Sequence, residues 1–419
     1  MSDSTAVILP FPKPSLIEGT VADGFEAVAQ AMKDNFTERG ERGAACTVYY
    51  QGQKVVDVWG GHRCQDNQMA WNQDTLSLSF SVTKGMAAAA TVVAYNEGLF
   101  ELDAPVCDYW PEFAHGGKEA ITVRQLLTHQ AGLVGINQRL NAEILADHDQ
   151  LATILAKQKP VWQPGKQHGY HTLTLGWYQN ELIRRVDPQG RSLGQFFQDE
   201  IAQPLGIEFY IGLPDDIAPE RLTNVRGFNR FKVLGNLNQL PWKMVMSGIL
   251  PWSPVAKSIN FLSVSNPATL GNAEMRRVEI PSANGIGQAR AVAKVYAALI
   301  DPRSPLKIHA ATRRELLADP ERPVGGNHDQ VLKIATHYGF GFSRPSNGFP
   351  FGSDHQAFGC PGAGGSFGMA DPTRQFSFAY LTGKMSFRIF DDPREHAVRQ
   401  ACKQCIDALE GSTSQIVAA

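Results

Sequence analysis

The stretch Ser77-Leu78-Ser79-Phe80-Ser81-Val82-Thr83-Lys84-Gly85-Met86, continued by Ala87-Ala88-Ala89-Ala90-Thr91-Val92-Val93-Ala94-Tyr95, decides how the rest of the chain is read. From Val82 to Tyr95 it is apolar nearly all round, which predicts a buried helix. Gly98 is placed to stop it. Ser81 and Lys84 are three residues apart at its start, so they share one helix face and can reach each other. A serine hydroxyl is a weak nucleophile until a neighbouring base takes its proton. An amine can be that base only if burial or positive potential lowers its pKa. Here the apolar helix offers burial, and the helix N-terminus offers positive potential and backbone N–H groups for an oxyanion. The spacing by itself also suits a helix cap followed by a solvated lysine, so the other segments have to decide.

Upstream, Cys46–Tyr50 and Val55–Trp59 form two runs rich in Val and Tyr around Gly52, which predicts a β-hairpin. Downstream, Thr122-Val123-Arg124-Gln125 reads as a capping box opening a short helix closed at Gly132. Helical patterns follow at Glu143–Lys157, Leu175–Val186, Leu193–Ile201, Gln288–Leu299 and Ala310–Leu317. Between them, Leu234–Gly271 carries Pro241, Trp242, Met244, Met246, Pro251, Trp252, Pro254 and Phe261. It reads as an irregular apolar segment suited to a lid or pocket wall, or as plain core. Strand signals return at Tyr338–Ser343 and Gln375–Leu381, and a last helix is expected from Pro393 to Leu409. With β at both ends and α in the middle, the simplest architecture is an α/β fold. One sheet built from both ends (20–100 and 280–415) receives an inserted, mainly helical domain (101–279).

Three further motifs bear on chemistry. His168-Gly169-Tyr170-His171-Thr172 precedes a helix, and a tyrosine in such a turn can relay a proton, or can be a half-buried structural residue. Phe358-Gly359-Cys360-Pro361-Gly362-Ala363-Gly364-Gly365-Ser366-Phe367-Gly368 lets backbone approach a ligand and donate an N–H, or makes a tight turn. Its Gly364–Gly368 part also matches Gly-x-Ser-x-Gly, the nucleophile elbow, with Ser366 as the serine. That motif needs an apolar strand before it and a helix after it, and here Gly and Pro precede and Ala370-Asp371-Pro372 follows. His168-x-x-His171 has no accompanying His-Glu-x-x-His helix, so no metal is expected. Cys402-x-x-Cys405 falls in the last helix rather than after a strand and reads as two small buried residues.

Ser81-x-x-Lys84, Tyr170-His171-Thr172 and Cys360-Pro361-Gly362 resemble, in order and spacing, the three motifs of the serine β-lactamase and penicillin-binding superfamily. Phe80–Gly85, Ile121–Leu133 and Ile280-Pro281-Ser282-Ala283-Asn284-Gly285 resemble its class C branch. Gly169–Thr172 and Gly362–Pro372 are most similar to the esterase members of that branch, the class VIII carboxylesterases. The resemblance runs over about residues 20–410 and implies a β-lactamase/transpeptidase-like fold, an antiparallel sheet flanked by helices with an inserted helical domain. It implies that Ser81 is acylated, that Lys84 and Tyr170 act as the base pair, and that the Ser81 and Ala363 backbone N–H groups form the oxyanion hole. His171, Cys360, Gly362 and Trp252 are the further candidates for the substrate pocket. Two positions depart from the lactamase pattern: Thr172 stands where many have Asn, and Cys360 where lactamases have Lys and many esterase relatives have His. A cation at position 360 would bind a substrate carboxylate. Its replacement by Cys favours neutral acyl substrates over β-lactams and peptidoglycan stems, unless His355 or His171 compensates.

The remaining numbers narrow the classes. The chain has 419 residues, with 39 Lys+Arg against 41 Asp+Glu and a net charge of −2. That balance leaves no footprint for nucleic acid and no polybasic patch for anionic lipid. The beginning, Met1–Pro10, has no basic residue before its apolar stretch, and no window of about 18 apolar residues occurs. A cytoplasmic chain with six reduced cysteines is expected, with no membrane span. The expected activity is hydrolysis of a small-molecule ester, without metal or cofactor. β-Lactam or D-amino-acid amide hydrolysis, acyl transfer and a catalytically silent member of the fold are the alternatives. The natural ester and the oligomeric state are not legible.

Overall fold

The computed structural model describes residues 17–64, 69–227, 242–262 and 266–417. In chain order the strands are β1 (Glu18–Val21), β2 (Gly43–Tyr50), β3 (Gln53–Cys64), β4 (Met69–Ala70), β5 (Ser77–Leu78) and β6 (Phe209–Tyr210). Then come β7 (Ile286–Gly287), β8 (His337–Gly339), β9 (Phe342–Arg344), β10 (Phe358–Gly362), β11 (Ser366–Asp371) and β12 (Phe376–Thr382). Helices of twelve or more described residues are α1 (Glu26–Thr37), α2 (Val82–Asn96), α3 (Thr174–Val186), α4 (Ala289–Ile300) and α5 (Pro393–Val417).

Both ends of the chain build one antiparallel sheet in the order β1-β3-β2-β12-β11-β10-β9-β8, with β4 beside β3. The seam between the halves pairs Val48 with Phe378 and Cys46 with Tyr380. The expected hairpin is present and longer than the sequence pattern indicated. Its turn places Gln51 and Gly52 at φ 50° and 79°, the left-handed pair that matches the twist of a two-residue hairpin. β8 and β9 divide the expected strand 338–343, because Phe340 and Gly341 both take positive φ and turn the chain between them.

Two hydrophobic layers flank the sheet. On one face α1 packs on α5, enclosing Val28, Met32, Phe378, Val398, Cys402 and Ile406. Cys402 and Cys405 are free, buried members of this layer. On the other face α2 and α4 pack against β10–β12 and β2. Trp110, Leu126 and Leu182 from the mainly helical stretch share that hydrophobic cluster with Val292 and Phe358. α2 is buried from Val82 through Ala94, as its composition requires, and its run of alanines lets neighbouring backbones come close. It ends at Asn96, and Gly98 lies beyond at φ 71°.

Some boundaries differ from expectation. The Thr122/Gln125 capping box is complete, but its helix ends at Leu127, well before Gly132, and His129 takes a left-handed φ of 60°. Asp147 splits the expected helix 143–157 into Ala142–Ala146 and His148–Ala156, because its side chain caps the second helix while its backbone is extended. The helix from Leu193 turns π-helical at Gln198–Ala202. The segment expected to be irregular from 234 to 271 contains short helices at Trp242–Gly248 and Pro254–Lys257 and a 3-10 turn at Pro267–Gly271. Its parts 234–241 and 263–265 lie outside the described residues.

Candidate active site

The approach to Ser81 is locked before the helix begins. β5, which ends at Leu78, pairs with β7, and Ser79 then bonds Gly285 O through both its N–H and its hydroxyl, each at 2.9 Å. Thr83 Oγ1 accepts from Gly285 N–H at 2.9 Å and donates to Phe80 O. Between these anchors Phe80 is held at φ 47°, a conformation that costs a non-glycine residue roughly 1–3 kcal/mol and persists only where its surroundings impose it. Ser81 therefore occupies the N-cap of α2 with helical φ and ψ, and its side chain caps nothing. An N-cap serine ordinarily spends its oxygen on the helix's own amides; this one keeps it for other partners.

Those partners are Lys84 and Tyr170. Lys84 Nζ lies 3.2 Å from Ser81 Oγ and donates to the carbonyls of Thr172 at 2.6 Å and Ser282 at 2.8 Å. It sits 4.8 Å from the centre of the Tyr170 ring. Lys84 is 1% exposed, and burial holds its pKa down to about 7. Burial also raises the pKa of half-buried Tyr170, against a hydrogen bond to Ser81 that lowers it; Cys360 and Asp329 add to the rise. The phenol is thus kept protonated, and the amine is the group poised to take a proton near neutrality.

Ser81, Tyr170, Thr172 and Ala363 open onto one cavity of about 280 Å³. Its walls are mostly apolar, with Met244, Val255, Ile259, Val331, Leu332 and Phe390 among them. Part of the Leu234–Gly271 segment is therefore pocket wall. Among the described residues, the Ser81 and Ala363 amides have no hydrogen-bond partner, as an oxyanion site requires. β10 reaches the site because Gly362 lies so close to Ser79 that a Cβ there would come within 2.7 Å of Ser79 O.

The other candidates stand elsewhere. Trp252 is 71% exposed and does not line the cavity; its segment contributes Met244, Val255, Ser258 and Ile259 instead. His171 is fully buried behind Tyr170, where its Nε2 accepts from Leu133 N–H at 3.0 Å and its Nδ1 faces Gly169 O at 2.8 Å. Burial pushes its pKa down to about 3, so it is a neutral structural imidazole and offers no cation to the pocket. His168 meets Thr336 Oγ1 at 3.0 Å, so the two histidines do not converge on one metal position. His355 is a surface residue near Asp319. Cys360 is buried, and burial pushes its thiol up to about 11. Gly362 and Cys360 do not line the cavity, whereas Pro361 and Ala363 beside them do. Ser366 is buried at the start of β11, where its Oγ accepts from Thr382 N–H at 3.2 Å. A strand follows it, not the helix of a nucleophile elbow.

The carbonyls of Thr172 and Ser282, and the carboxylate of Asp329 behind Tyr170, were not singled out from sequence. A carbonyl has no residue signature. Asp329 precedes Val331-Leu332 in the pattern of an Asx turn, a signal too common to mark a site.

A model of the Beta-lactamase family matches residues 26–403. Esterase/beta-lactamase LipL of Mycobacterium tuberculosis is 30% identical over 403 residues, covering 92% of this chain and 89% of that protein. A crystal structure of a family VIII carboxylesterase superposes with a TM-score of 0.81 at 33% identity, over 93% of this chain and 99% of the other. A penicillin-binding protein homolog from Caulobacter crescentus gives 0.77 at 35% identity, over 93% and 99%.

Proposed function

The chain belongs to the Beta-lactamase family, and from that premise we propose that it is a serine carboxylesterase of the family VIII type, acting on neutral esters through a Ser81 acyl-enzyme. The observation that carries this reading is a buried lysine with its pKa held near 7, 3.2 Å from the Ser81 hydroxyl at the edge of an apolar cavity. Two of the bonding directions of Lys84 are taken by the Thr172 and Ser282 carbonyls. When the amine is neutral, its two N–H bonds satisfy those carbonyls and its lone pair is left facing Ser81.

Lys84 takes the hydroxyl proton as Ser81 Oγ attacks the ester carbonyl. The tetrahedral oxyanion forms between the Ser81 and Ala363 amides, each donor being worth roughly 3 kcal/mol. Collapse breaks the bond to the alkoxy oxygen, which takes the proton from Lys84 through the Tyr170 hydroxyl. Water then attacks the acyl-enzyme by the same proton path in reverse, returning Ser81 and releasing the acid.

The neutral, buried Cys360 thiol provides no charge to receive a substrate carboxylate, which favours esters over β-lactams. The test is intact mass after exposure to a fluorophosphonate, beside hydrolysis of p-nitrophenyl acetate and butyrate and of a chromogenic cephalosporin. Labelling and ester turnover lost in Ser81→Ala, with slow cephalosporin turnover, are the expected results. An unlabelled wild type overturns the acyl-enzyme, and cephalosporin turnover matching the esters overturns the ester preference.

A further inference from the structure

Behind Tyr170 lies a carboxylate that the reaction as described does not use. Asp329 is fully buried, and among the described residues no Lys or Arg pairs with it. Its charge is met by neutral donors. The Tyr170 backbone N–H points between its two oxygens, 3.1 Å from each. The N–H groups of Val331 and Leu332 donate to Oδ1 at 2.8 Å each. Thr336 Oγ1 and Tyr338 Oη donate to Oδ2 at 3.1 and 2.9 Å. The Tyr338 ring lies nearly parallel to that of Tyr170, with 6.1 Å between centres and 20° between planes. Gln330 N–H closes the same junction by donating to His168 O at 3.0 Å.

One side chain thus ties together three things: the peptide that carries Tyr170, the ring stacked on it, and the two residues whose side chains wall the cavity. A buried carboxylate satisfied by five neutral donors costs desolvation energy that an apolar residue would not, which marks it as more than filler. We propose that Asp329 is a positioning residue of this site, holding Tyr170 in register with Ser81 and Lys84 and coupling that register to the cavity wall at Val331 and Leu332. This rests on the reading of Ser81 and Tyr170 given above. The negative charge acts in the same direction, since it disfavours the tyrosinate and keeps the phenol able to pass a proton.

Asp329→Asn is nearly isosteric and keeps an oxygen for the turn at Val331 and Leu332, but loses the charge and one acceptor. The experiment is a double-mutant cycle with Tyr170→Phe, read as kcat on p-nitrophenyl butyrate and as the rate of fluorophosphonate labelling of Ser81. Asp329→Asn is expected to lower both at least tenfold in the otherwise wild-type enzyme, and less than twofold in the Tyr170→Phe background. The same fold-loss in both backgrounds, or a loss under twofold in the wild type, overturns the proposal. Where Asp329→Asn does not fold, Tyr338→Phe keeps the stacked ring and removes one donor to Oδ2. It is expected to lower kcat about threefold, with that loss absent in Tyr170→Phe, and an additive or missing loss again overturns the proposal. Failure of Ser81 to label in wild type would instead strike the underlying acyl-enzyme reading.

Discussion

Lys84 Nζ lies 3.2 Å from Ser81 Oγ, one turn along the same helix, with the rest of its bonding capacity committed to two carbonyls. Lysine is ordinarily a cation and a poor base at neutral pH. Here a 1%-exposed position brings its pKa down to about 7. Ester hydrolysis should therefore rise with pH and level off above about 7, since the base works only when deprotonated. A kcat/KM profile on p-nitrophenyl butyrate from pH 5 to 9 checks this; a flat profile through pH 7 would remove Lys84 from the role of base.

The same burial has a stability signature. The folded-state pKa of about 7 lies below the ordinary lysine value of 10.5, so the unfolded chain binds more protons between those limits. Stability should accordingly rise with pH across that window, and the cost of burying the cation is felt in full below it. Lys84→Met should lose this rise along with its activity. Urea titrations of both proteins at pH 7 and pH 9 measure the difference.

Ser366→Ala separates the two serines that a motif search would offer. Ser366 is buried and bonded to Thr382 N–H, away from the cavity. The variant should keep ester turnover within about twofold and lose about 1 kcal/mol of stability. Loss of fluorophosphonate labelling in this variant would contradict the placement of the nucleophile.

Gly85 follows Lys84 in the buried helix, where the Tyr296 hydroxyl fills the space a side chain would need. A Cβ at position 85 would come within 2.1 Å of Tyr296 Oη and 3.0 Å of its ring. Gly85→Ala should cost about 1–3 kcal/mol despite its better helix propensity. Adding Tyr296→Phe removes the clashing oxygen and should recover part of that loss, measured by thermal unfolding of the single and double variants.

Cys360 opens the third motif and carries a buried thiol raised to about 11. Thiolate is the reactive form. Iodoacetamide at pH 7.5 should therefore leave ester hydrolysis intact and Cys360 unmodified in the folded enzyme, by peptide mapping. Inactivation matched to alkylation of Cys360 would reverse that assignment.

The order of elements was legible because hydrophobic periodicity and turn chemistry are local. The buried α2, the hairpin at Gln51 and Gly52 and the Thr122 capping box all follow from neighbours within a few residues. Legible for the same reason was the one-turn spacing of Ser81 and Lys84, and with it the family. The breaks at Asp147 and Phe340–Gly341 were not, since each turns on the backbone conformation of one or two residues, which the periodicity of the flanking apolar residues does not record. Nor could sequence place Trp252 at the surface while Val255 and Ile259 turn into the cavity, because a non-periodic segment has no face until something packs on it. The chemistry of Lys84 depends on folding most of all. Its pKa comes from burial, its direction from the carbonyls of Thr172 and Ser282, and Tyr170 is held by Asp329, 159 residues away. Residue types and short spacings are written in the chain; dielectric surroundings and contacts between distant segments exist only once it has folded.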